Sequence, residues 1–84
     1  MKIYKISQDV NNDYDTFDSA IVFAENEEEA KRINPNNFEK DLHENMESWE
    51  LRCWANIHDI KVEYIGENKD VKEKGLILAS FNAG

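Results

Sequence analysis

The sequence predicts a small α+β domain: a four-stranded, mostly antiparallel sheet with a short helix on one face, in the order β-β-α-(irregular)-β-β. Three observations carry this. Two short apolar runs, Ser19 to Ala24 and Leu76 to Phe81, have the length and β-branched or aromatic content of strands. A clean polar–apolar alternation from Ile60 to Ile65 marks another strand. Between them, Asn26 to Ile33 carries a full set of helix start and stop signals. A sheet with one helix laid on it is the simplest layered arrangement of these parts. With 84 residues, the chain makes a single domain spanning 1–84.

Taken in order, Lys2 to Val10 reads as the first strand, with Tyr4 and Ile6 on one side and Ile3 and Lys5 on the other. Its mixed polarity places it near a sheet edge. Asn11 to Asp18 is rich in turn formers and forms a wide hairpin loop. The run from Ser19 to Ala24 follows as an interior strand. Asn26 precedes Glu29 by three residues, the spacing of a capping box. Glu27, Glu28 and Glu29 occupy the first helical turn, where the helix dipole favours carboxylates, and Lys31 and Arg32 close the last. Pro35 pushes Asn34 out of the α region, so the helix ends near Ile33.

Phe38, Leu42, Met46 and Trp49 recur at helical spacing, which predicts a helix or ordered loop to about Glu47. From Ser48 the alternation of Trp49, Leu51 and Cys53 with Glu50, Arg52 and Trp54 predicts extended chain. Gly66 to Asp70 turns the chain. Leu76 to Phe81 then reads as a second interior strand. By apolarity, strands two and four belong inside the sheet and strands one and three at its edges.

The formal net charge is −8, unevenly spread: from Asp9 to Glu29 there are eight acids and no Lys or Arg. Such a surface repels nucleic acid and anionic membrane. It suits either solubility or a basic protein partner. With one cysteine, Cys53, no internal disulfide is possible. No run approaches the roughly 18 apolar residues of a membrane span, and Lys2 and Tyr4 interrupt any leader-like segment. The expectation is a cytoplasmic protein.

Candidate chemistry is sparse. Asp13, Asp15 and Asp18 lack the Gly and distal Glu of a calcium loop. Cys53, His43 and His58 lack zinc spacing. Gly66, Gly75 and Gly84 build no phosphate loop. No catalytic, metal or cofactor residue is therefore assigned, and a small metal-dependent enzyme is the least favoured reading. The candidate contact residues are Asp13, Tyr14, Asp15, Asp18, Glu27 and Glu28 in the acidic half, with Trp49 and Trp54 as aromatic anchors. The two tryptophans suit still better a role in capping the sheet face that a short helix leaves bare.

The run from Tyr14 to Pro35, YDTFDSAIVFAENEEEAKRINP, together with Val62 to Gly66 and the closing GLILASFNAG of Gly75 to Gly84, resembles a family of small uncharacterised phage and prophage proteins. That family shows a YDxYDSAVVxAxxEEEAR run before a proline and a C-terminal GxxLASFNAG. This chain departs from it at Phe17, at Lys31-Arg32 and at Asn34. The resemblance implies a phage or mobile-element origin, a bacterial host cytoplasm and no catalytic residues. The expected function is a non-enzymatic protein-binding module. One form of it is an acidic inhibitor of a host nucleic-acid-handling protein, of the anti-CRISPR or anti-restriction type. The alternative is a regulatory or assembly module that binds a protein partner through its aromatic segment.

Overall fold

The computed structural model describes residues 1–11, 16–36, 41–43, 46–47, 51 and 53–82, with the backbone alone at 79, 81 and 82. Among the described residues the elements are strands β1 (Lys2–Ser7), β2 (Thr16–Ala24), β3 (Lys61–Glu67) and β4 (Gly75–Asn82), helix α1 (Glu27–Arg32) and a 3₁₀ turn at Ile57–Asp59. They form one four-stranded sheet in the order β3-β1-β2-β4, every neighbour antiparallel. The α+β class and the short helix after β2 agree with the sequence reading.

The strand order agrees only in part: β2 is interior and β3 an edge as expected, but β1 and β4 exchange places. β1 and β2 are central, while β3 and β4 are the edges. The reason is pairing, which individual strand composition does not report. Lys2 lies opposite Ala24 on one side and Glu67 on the other, so β1 is hydrogen-bonded along both edges. β4 is left to pair with the far side of β2. β1 also stops at Ser7 rather than Val10. There the Gln8 side chain takes over the backbone: its Nε2 donates to the carbonyls of Asn11 (2.8 Å) and Phe17 (2.9 Å). Its Oε1 accepts from the amides of Val10 (3.0 Å) and Asn11 (2.8 Å). Gly66, expected in a turn, lies inside β3; the turn follows it, with Asn68 Oδ1 accepting from the Asp70 amide at 3.0 Å.

Alternation along the strands separates two faces. Tyr4 and Ile6 of β1 and Ala20, Val22 and Ala24 of β2 are buried on one of them. Against this face pack Ala30, Ile33, Leu42, Trp54, Ala55, Ile57 and Ile60. The helix is too short to cover the sheet alone. Six residues rise about 9 Å, whereas the nine residues of β2 span roughly 30 Å. The chain around Trp54 covers the remainder.

The segment after the helix departs from expectation in two ways. Residues 41–43 and 46–47 are not helical, although Leu42 is buried and Met46 packs on the core as the spacing implied. The Leu42 amide donates to the Arg32 carbonyl at 2.8 Å, so the chain runs back beside the end of α1 instead of winding a new helix. Leu51, Cys53 and Trp54 lie in helical, turn and bend conformations rather than an extended strand. Phe38, Trp49, Glu50 and Arg52 fall outside the described residues.

α1 begins as its sequence dictates. Asn26 Oδ1 accepts from the Glu29 amide at 2.8 Å, and Glu29 Oε1 reaches back to the Glu25 amide at 3.0 Å. The Ile33 amide closes the other end on the Ala30 carbonyl. Replacing Asn26 with Ala is expected to cost about 1 kcal/mol by losing this cap; an unchanged denaturation midpoint would show that the helix does not depend on it.

At the β1–β3 margin, Lys61 Nζ meets Asp9 Oδ2 at 2.7 Å. The lysine's hydrogen bond and charge hold the Asp9 carboxyl below its ordinary 3.8. Such a bridge contributes above that ordinary value and is lost as pH falls through the lowered one. Both partners are largely exposed, which keeps the contribution small.

Candidate contact surface

The described members of the expected acidic contact set fall at two places set by β2. Asp18 sits near its start, where the pairing with β4 shifts between Phe17 and Ser19, and its side chain is exposed. Its carbonyl accepts from the Gln8 amide at 3.2 Å, which anchors the backbone there. Glu27 and Glu28 stand exposed in the first turn of α1, just beyond the other end of the strand, beside exposed Glu25. Glu28 is bridged to Arg32 one helical turn on, at 2.8 Å. From Asp18 to Ala24 the strand advances roughly 20 Å. Asp18 and the Glu25, Glu27 and Glu28 group are thus separated along one strand. Asp13, Tyr14 and Asp15 lie outside the described residues, as does Trp49.

Trp54 is corrected. It is fully buried, 0% exposed, and belongs to the core. The backbone on either side of it is tied to the β1–β2 connection: the Cys53 carbonyl accepts from the Phe17 amide at 2.8 Å, and the Trp54 carbonyl from Asn11 Nδ2 at 3.0 Å. An indole in that position packs; it does not present a contact surface.

Cys53 is half-buried, and His43 and His58 are exposed. Among the described residues, no three His, Cys, Asp or Glu side chains come together as metal ligands. A groove of about 370 Å³ lies at one end of the sheet, lined by Met1, Lys2, Glu25, Glu67, Val71 and Lys72. Its charges are mixed in sign, which gives it no strong preference for an ion. No helix among the described residues is long and apolar enough to cross a membrane.

Sequence reasoning missed the other face of the sheet. Residues directly opposite each other in an antiparallel pair share a face. One row across that face runs Glu63, Lys5, Ile21, Leu78 in strand order, and the next pairs Ile3 with Phe23. The face is therefore charged on the β3 side and apolar on the β4 side. Leu78 is 66% exposed, the highest value among the large hydrophobic residues described. The signal was present: a single six-residue helix cannot cover both faces of four strands. Continuous apolar runs suggested burial on both sides.

Comparison with protein-family models, curated proteins and solved structures found no match.

Proposed function

We propose that this protein is a non-enzymatic binding module whose acidic surface engages a basic, nucleic-acid-handling protein and competes there with the nucleic acid. The observation that carries the reading is the placement of exposed carboxylates at both ends of β2, Asp18 at one and Glu25, Glu27 and Glu28 at the other. A groove built for duplex DNA expects negative charge at close intervals along its length. Carboxylates held about 20 Å apart by one strand would meet such a groove at two points. The net charge of −8 adds long-range attraction to a basic partner. A phage-type origin and a bacterial host cytoplasm, which the sequence resemblance implies, belong to the same proposal. The aromatic alternative loses one of its two anchors, because Trp54 is buried.

The test is capture from bacterial lysate on the immobilised protein at low salt, with elution by duplex DNA or by sodium chloride. Basic nucleic-acid-binding proteins should be retained and released by either. The Asp18→Lys/Glu27→Lys double variant should retain them poorly while its melting curve stays close to wild type, since exposed charges contribute little to folding. Retention that DNA cannot displace, or that survives the double reversal, would sink the proposal.

A further inference from the structure

We draw no further inference here: the strongest candidate, the apolar half of the open sheet face beside β4, formed by Ile21, Phe23 and Leu78, carries nothing because nothing in the structure shows what covers it.

Discussion

Trp54→Ala is expected to cost about 3–5 kcal/mol, the usual price of truncating a fully buried aromatic residue. A domain of this size holds on the order of 5–10 kcal/mol in total, so the variant should stand near or past the edge of stability at room temperature. The residue is 0% exposed and lies among the side chains that cover the sheet where α1 does not reach. Urea denaturation followed by circular dichroism would show a midpoint moved sharply down. Trp54→Phe should be much milder. The indole Nε1 finds no hydrogen-bond partner among the described residues, so removing that N–H removes an unmet buried donor and offsets part of the cavity cost. A Trp54→Ala protein that remained folded and lost only partner binding would contradict the buried placement.

Gln8 should have the second largest effect, and a sharper chemical signature. Its side chain is nearly buried, and its amide satisfies four backbone groups between Val10 and Phe17. Gln8→Ala is expected to cost about 2–4 kcal/mol, because those groups lose their partner where water is largely excluded. Gln8→Glu is the discriminating variant. Its shape is nearly the same, but at neutral pH a carboxylate oxygen would face the Asn11 and Phe17 carbonyls in place of two N–H donors. Destabilisation at least as large as that of Gln8→Ala is expected, together with faster amide exchange at Val10 and Asn11. Wild-type stability for Gln8→Glu would mean that the amide does not hold this link.

The limits of what could be read from residues follow from the range of each interaction. The helix start was legible because Asn26 and Glu29 are three residues apart and their chemistry is local. The Tyr4 and Ile6 side of β1 was legible because alternation needs only neighbours. Leu42 and Met46 carried true information about burial, but spacing alone could not distinguish an inward-facing irregular segment from a helix. Strand order was not legible, because it depends on residue 2 meeting residue 67, and no short window contains both. The apolar content of β4 suggested an interior strand; the sheet places it at an edge, with its exposed residues on the uncovered face. Gln8 gave no warning, since a polar residue after a strand usually marks exposure. Of the expected contact residues, acidic Asp18, Glu27 and Glu28 are exposed as a contact role requires, while the aromatic Trp54 is not.

The order β3-β1-β2-β4 also sets a timetable for folding. Only the β1–β2 hairpin joins strands that are close in the chain. Docking β3 on β1 must close a loop of more than fifty residues, from Ser7 to Lys61, before any ladder bond forms, and β4 must reach back to β2 in the same way. Such closure entropy has to be met before the pairing returns anything, and topologies dominated by distant pairings fold in milliseconds to seconds rather than microseconds. On a ribosome the hairpin would wait, with both of its outer edges unpaired, until the last strands emerged. The hairpin is thus the natural nucleus, and substitutions at Leu76 or Val62 should register mainly in the unfolding rate rather than in the rate of folding.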